Sequence, residues 1–402
     1  MASENPESDV APVGMLDPSM ASCPHAGYGQ LREFKQGVSR MPLVNVPMIT
    51  RYEDVMWALR HTEIFSSEMS EELALGNERP MIPQQIDPPA QARYRRLLDP
   101  LFSRRRSLQL EPDVRRQANV LIDQFIDNGE CEFNSSFAIP LPGSVFLNLF
   151  GLPFEDLELF LEMKDGIIRP HAKTQDHEEM VKVRKHAGQS LIEYFEKELD
   201  SREGKTPSDD LLDAFRSFEI DGEKLSRNDI LDICYLILIA GLDTVTATLG
   251  CDIAFLAANP AHRNRIVEDP ELIPAAIEEL FRWETPVAAV PRKLKQDVTV
   301  GGVEMKKGEM VTLLLGAANL DDRQFSHVDE VDFGRERNRH IAFGGGPHRC
   351  LGSHLARMEM RVAMEEWHRR IPNYQIKEGE TPTYSTGIRE VQYLPLVWSG
   401  TR

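Results

Sequence analysis

The chain is short of cysteine, of aromatic residues and of positive charge, and it has no long hydrophobic run. Its five cysteines, Cys23, Cys131, Cys234, Cys251 and Cys350, are scattered over 402 residues without a C-x-x-C pair. An odd, dispersed set argues against a disulfide framework and for a reducing compartment. Cys350 has only His348 and His354 beside it, too few ligands at close spacing for structural zinc. The longest strongly apolar run is about "YLILIAGL", far below the roughly 20 residues of a membrane span. The opening "MASENPESDVAPVG" has neither the basic start nor the apolar stretch of a secretory signal. The expectation is a cytoplasmic protein with no membrane span. A formal net charge of -18 speaks against nucleic acid and anionic membranes as partners.

What is present is ordinary globular material. Hydrophobic residues make up 41% and charged residues 27%, and a chain of this length buries a large core with room for a cavity. Residues 1–30 read as a flexible N-terminal extension and 31–402 as one domain, with no repeat or linker. Helical patterns dominate. "TRYEDVMWALRHTEIFSS" shows helix periodicity after a Thr cap, and "DPPAQARYRRLLDPLFS" places prolines at a helix entrance, where a missing N–H costs little. The longest helix is expected over Ser226–Asn259, capped by Ser226 with Asp229 three residues on, and ended by Pro260. At 1.5 Å per residue it would run roughly 50 Å. "PAAIEELFRW" and a segment starting just after Cys350 give two more. Strand signals are fewer: "PLVNVPMIT", a Gly-Gly hairpin in "DVTVGGVEMKKGEMVTLLL", and a closing "VQYLPLVW". The fold class expected is mainly α, a single large helical domain with a small β-rich part.

Three stretches carry chemistry. In "FGGGPHRCLG", residues 343–352, one thiol follows three glycines and leads into a helix. A helix start stabilises negative charge and lowers a thiol pKa. Glycines let the backbone approach something large and flat. No base and orienter accompany Cys350, so a nucleophile is not indicated. Ligation of a haem iron fits, since a thiolate donates electron density that favours O–O cleavage. In "AGLDTV", residues 240–245, an acid and an alcohol sit side by side in an apolar helix interior. One reading is a Thr bonded to the carbonyl a turn back and an Asp in a salt bridge. The other is a local opening of the helix beside a reaction centre, with Thr244 serving bound oxygen and Asp243 relaying protons. In "EELFR", Glu279 and Arg282 share a helix face. A basic cluster, Arg93, Arg95, Arg96, Arg104, Arg105 and Arg106, is either a solvated face or a site for an anionic cofactor or acidic protein.

In this order the three stretches resemble the cytochrome P-450 (haem-thiolate monooxygenase) family over nearly all of the chain after about residue 40. The family's Phe-x-x-Gly-x-x-x-Cys-x-Gly loop is met by Phe343, Gly346, Cys350 and Gly352, its Glu-x-x-Arg by Glu279 and Arg282, and its acid–alcohol pair by Asp243 and Thr244. The likeness is to soluble bacterial members, with "GLDTV" and "LPLVW" similar to the camphor hydroxylase branch.

The resemblance implies the rest. The cofactor is haem b, with Cys350 as the iron ligand. Arg95, Arg292 and His348 match positions that hold the haem propionates, and Phe343, Gly344, Gly352, Gln91 and Ala240 complete the cofactor site. Asp243 and Thr244 are the catalytic pair. Glu279, Arg282 and Arg335 form a structural ion network. The substrate pocket is lined by Leu236, Ile239, Ala240, Thr244, Ala288, Val290 and Ile388, with a lid near 73–82. Three departures stand out: Val245 for a second hydroxyl, Gln91 for a histidine and Leu320 for an arginine. Arg79 and Pro80 stand near the place of the camphor hydroxylase's anchoring tyrosine, which speaks against camphor. The implied reaction inserts one atom of molecular oxygen into an apolar small molecule of terpenoid or fatty type. Electrons would come from a [2Fe–2S] ferredoxin and an NAD(P)H-dependent ferredoxin reductase, docked at Arg96, Arg349 and Arg357. A haem-thiolate peroxygenase or isomerase, and a non-catalytic haem ligand-binding protein, are the alternatives.

Overall fold

The computed structural model describes residues 9–14, 17, 19–69, 75–385 and 388–399. In chain order the helices that position the site are α1 (His25–Glu33), α2 (Tyr52–Arg60), α3 (Ala90–Leu98), α4 (Arg104–Asp123), α5 (Leu157–Ile168), α6 (His177–Ser201), α7 (Arg227–Gly241), α8 (Thr244–Ala258), α9 (Ile273–Trp283) and α10 (Ser353–Arg370). The architecture is mainly α with small sheets at its margin, as the sequence suggested.

The long apolar segment becomes two helices rather than one. Ser226 and Asp229 form a full capping box that starts α7. The helix stops at Gly241, and α8 starts at Thr244. Gly241 weakens the helix there, and the Thr244 hydroxyl donates to the Ala240 carbonyl at 2.9 Å. Pro260 does more than end the segment: it opens the next helix, Pro260–Glu268. Taken together, Arg227–Ala258 is long and apolar enough to cross a membrane, but 61% of its most apolar window is buried inside the protein. That is the environment of a core helix.

Two apolar masses meet along this pair. Leu249, Ile253, Phe133, Phe137, Met360 and Trp367 join α8 to α10 and their neighbours. Phe150, Phe160, Phe195, Leu231 and Tyr235 join α5, α6 and α7. A five-stranded sheet lies to one side, in the order Val38–Arg40, Pro47–Ile49, Met310–Leu313, Val290–Leu294, Phe65–Ser66. The Gly301–Gly302 hairpin pairs Val298–Val300 with Val303–Met305. The closing stretch divides in two: Val391–Tyr393 pairs with Thr383–Tyr384, whereas Pro395–Trp398 lies between Tyr374–Ile376 and Glu130–Glu132.

Two local readings change. Thr50 does not cap α2. Its hydroxyl donates to the Gly37 carbonyl at 2.8 Å, and the Tyr52 N–H is taken instead by Asp321 from across the fold. The boundary expected at residue 30 falls inside α1, where Tyr28 and Leu31 are buried. Arg32 bonds the Ala317 carbonyl at 3.0 Å, and Arg389 donates to the carbonyls of Ala21 and Ser22.

Fully buried Glu279 and Arg282 centre an ion network. Glu279 accepts from Arg282 Nη2 and Nε at 2.7 and 2.9 Å, from Arg335 Nε at 3.0 Å, from Asn338 at 3.1 Å and from the Asp332 N–H at 3.0 Å. Arg282 spends its remaining donors on the carbonyls of Asn319, Val328 and Glu330. The pair thus ties α9 to the irregular chain that precedes the cysteine loop. A buried pair broken on one side leaves an uncompensated charge, at a cost of about 3–5 kcal/mol. Glu279→Ala is therefore expected to lower the thermal midpoint sharply and to yield protein with little bound haem, measured by scanning calorimetry and haem content.

Candidate active site

The cysteine loop is shaped before any cofactor is considered. Gly346 has a positive φ of 64°, and a Cβ there would lie 2.2 Å from the Leu59 carbonyl oxygen. The glycine is thus required by the protein's own α2. Gly344, with φ 67°, has no such neighbour: the nearest atom to a Cβ would be 3.9 Å away. The Cys350 N–H closes the loop on the Phe343 carbonyl at 2.9 Å. Helix α3 pins it from the side, with Gln91 donating to Pro347 O at 2.7 Å and Arg95 to Arg349 O at 2.8 Å. Phe343 packs edge-on against Phe281 and lies 4.4 Å below the Arg357 guanidinium.

Cys350 is accessible to solvent-sized space, yet surrounding protein is dense enough that burial pushes its thiol pKa up, against the pull of the Gly352 N–H and of Arg95, Arg357 and Arg349. Both facts hold if the sulfur opens onto a void inside the fold. The sequence expectation of a lowered thiol pKa is corrected for the bare protein. Helix α10 begins only at Ser353, and desolvation outweighs its influence. A coordinated metal ion reverses that balance, since a bound thiol is deprotonated outright. Ala240 is likewise exposed, next to the end of α7, whose middle is largely buried. Leu236, Ile239 and Thr244 are half-buried, and Leu236 and Thr244, four residues to either side of Ala240, share its face by their spacing. Ala288, Val290 and Ile388 are half-buried as well. Ala288 packs towards the N-terminal cluster and Val290 towards the sheet core. Gly352 has open space on its Cβ side.

Orphaned cationic donors stand close to the loop. Arg292 is 3% exposed, and among the described residues its one hydrogen bond is to the Pro291 carbonyl. Its Nε has no partner, and it makes no ion pair among the described residues. Burial lowers its pKa to about 10, opposed by the charge of Asp87. His348 Nε2 lies 3.4 Å from Asp87 Oδ1 and makes no aligned hydrogen bond. Its pKa is lowered by burial, with Arg292 and Arg95 adding to that effect. Arg292, His348 and Arg95 therefore share one electrostatic neighbourhood. Asp87 is its anionic centre. Burial alone would raise its pKa, but His348, Ser66, Lys295 and the Ser67 N–H together hold it far below the usual range. Sequence reasoning missed Asp87, because nothing in "QIDPPA" marks a carboxylate that will be buried. An anionic group carrying carboxylates fits the unsatisfied donors, and guanidinium suits carboxylate in geometry.

Asp243 is 3% exposed and sits at the break between α7 and α8. Lys164 donates to its Oδ1 at 2.7 Å, and Arg169 Nη1 approaches Oδ2 at 2.8 Å. Thr244 bonds the carbonyl a turn back. The first reading of "AGLDTV" is met, a Thr bonded to the carbonyl a turn back and a salt-bridged acid, and of the second the break in the helix is present. Lys164 and Arg169 lie on and just after α5, some 75 residues away in sequence, and no local pattern announces them. Val245 is buried in the apolar core.

Arg357 is removed from the expected docking set. It grips Glu278 with Nε and Nη2 at 2.6 and 2.8 Å and stacks on Phe343, so it serves the interior. Arg96 and Arg349 are exposed, as are Arg104 and Arg105, and none makes an ion pair among the described residues. Arg93, Arg95 and Arg106 are paired with Asp221, Asp99 and Asp209. Of the expected lid, residues 73 and 74 lie outside the described residues. Met81 and Ile82 are buried. Arg79 Nε clasps Asp232 on α7 at 2.9 and 3.0 Å.

A family model described as cytochrome P450 matches residues 151–377. The chain belongs to the cytochrome P-450 family. It is 35% identical to a probable cytochrome P-450, 127A1, of Sinorhizobium fredii, over 88% of this chain and 83% of that protein. It is 34% identical to the mycinamicin IV hydroxylase/epoxidase of Micromonospora griseorubida, over 92% and 94%. A crystal structure of the myxobacterial cytochrome P-450 CYP267B1 in complex with myristic acid superposes with a TM-score of 0.87 at 30% identity, covering 96% of this chain and 99% of that one. This cytochrome P-450 is an oxidoreductase of the monooxygenase class, and its cofactor is haem b.

Proposed function

We propose that this cytochrome P-450 inserts one oxygen atom into an apolar small molecule of terpenoid or fatty type in the cytoplasm. Its electrons would come from a [2Fe–2S] ferredoxin and an NAD(P)H-dependent reductase. The observation that carries the reading is an accessible Cys350 thiol set in dense protein, on a loop held by α2, by Gln91 and Arg95 of α3, and by Phe281. Cys350 would ligate the iron. Arg292, His348 and Arg95 would hold the propionates, with Gln91 and Phe343 fixing the loop around them. Gly344, Gly352 and Ala240 would leave room for the macrocycle.

Haem b, when bound, supplies the activation of dioxygen and its insertion into substrate. The side chains do the rest. Leu236, Ile239, Ala288, Val290 and Ile388 exclude water and offer an apolar wall to substrate. The fatty ligand of the CYP267B1 complex supports that class. Asp243 moves a proton at its carboxylate, and the Thr244 hydroxyl passes it on once it leaves the Ala240 carbonyl. Exposed, unpaired Arg96, Arg104, Arg105 and Arg349 give an acidic ferredoxin a complementary face, and such charge pairing speeds encounter.

Purified protein, reduced and treated with carbon monoxide, is expected to show a strongly red-shifted Soret band that Cys350→Ala abolishes; a band that survives the substitution refutes the ligand assignment. Product formation should require ferredoxin, reductase, NAD(P)H and oxygen, and should slow as salt rises. Turnover on hydrogen peroxide alone would instead mark a peroxygenase. Thr244→Ala should retain haem and substrate binding while diverting most reducing equivalents to hydrogen peroxide, measured as product formed per NAD(P)H consumed. Unchanged coupling would make Thr244 structural.

A further inference from the structure

Asp243 belongs to a cluster whose charges do not balance. Lys164 and Arg169 supply two cations, and Asp165, Asp243 and Glu390 supply three carboxylates. Lys164 is shared between Asp243 at 2.7 Å and Asp165 at 3.0 Å. The division at Arg169 is more informative. Nη1 hydrogen-bonds Asp165 Oδ1 at 3.0 Å and Nη2 hydrogen-bonds Glu390 Oε2. Asp243 Oδ2 is just 2.8 Å from Nη1, yet it is buried and has no aligned hydrogen-bond partner. One oxygen of the acid is therefore committed to Lys164, and the other is held near a cation without being capped by it.

We propose that Glu390 is a positioning residue for proton delivery: by occupying Arg169 Nη2 it keeps the guanidinium from closing on Asp243, which leaves Asp243 Oδ2 free to accept a proton. This rests on the reading of Asp243 as the proton-moving acid. A guanidinium and a carboxylate left to themselves adopt a paired fork of two parallel bonds. Asp165 and Glu390 each occupy a donor on one of the two Nη atoms and so prevent that fork. Burial tends to raise the Glu390 pKa, as does Asp243, and the Arg169 pair opposes both, so the carboxylate depends on the guanidinium it holds. Glu390 also stands two residues from Ile388. The chain that offers a wall to substrate thus carries the residue that orients the acid's partner.

The test uses holoenzyme, with NADPH oxidation driven by a plant-type [2Fe–2S] ferredoxin and its reductase in the presence of myristic acid. Glu390→Gln should slow the saturated rate about tenfold, the scale of partners that orient a functional group, and enlarge the solvent isotope effect. Myristate affinity from the spin-state titration should stay within about twofold, and the carbon monoxide spectrum should be intact. Asp165→Asn, at a half-exposed position where folding is safe, should act in the same direction. In an Asp243→Asn background Glu390→Gln should add nothing. Asp243→Asn should also lower the thermal midpoint more in the Glu390→Gln protein than in the parent, because Arg169 then leans on Asp243. A slow Asp243→Asn with a normal Glu390→Gln, or effects of the two that multiply, overturns the proposal. A normal Asp243→Asn overturns the proton-moving reading itself.

Discussion

The Glu279 carboxylate is the fixed point of this molecule. It lies at zero exposure and accepts five hydrogen bonds, one from the backbone and the others from three side chains. Two arginines that would be intolerable in the interior alone become the means of fastening irregular chain, because their remaining donors satisfy carbonyls that no helix or strand employs. That irregular chain runs directly into the loop that ends at Cys350. The sulfur's position is thus set by a charge cluster that takes no part in chemistry.

Buried charge is handled differently at three places. Around Glu279 it is fully paired. Around Arg292 it is left unpaired, with only Asp87 to steady it from a distance, which is costly unless a bound anion supplies the missing carboxylate. Around Asp243 it is over-supplied with carboxylate, so that partners compete. Under the function proposed above, the three arrangements would serve to hold the fold, to receive a cofactor and to move protons, and each would be the wrong arrangement for the other two.

Much of this was legible in the sequence, for reasons that differ from residue to residue. The cysteine loop, the Glu-x-x-Arg pair and the acid–alcohol pair are local patterns, and local patterns survive without a structure. The Ser226 capping box and the Gly301–Gly302 hairpin are local too, and both formed as written. The partners that decide the electrostatics are not local. Asp87 meets His348 across some 260 residues, Lys164 and Arg169 meet Asp243 across about 75, and Glu390 reaches Arg169 across 221. Arg357 had looked like a surface cation because periodicity does not reveal that Glu278 will face it. Thr50 resembled a helix cap, but Asp321 arrived from elsewhere to do that work. By hydrophobicity the apolar run after Ser226 looked like one helix, and only the polar pair in "AGLDTV" offered a break as a second reading.

The contact between Gly346 and the Leu59 carbonyl reaches beyond chemistry. It locks the loop bearing the thiol onto the back of α2, so an early part of the chain and a late one form a single rigid bracket. For laboratory evolution this divides three adjacent glycines sharply: codon randomisation at 346 returns almost nothing, whereas 344 has space beside it and only its backbone angle to satisfy. A library that treats the glycine triplet as one interchangeable spacer would discard most of its diversity at a position where the protein has no freedom to give.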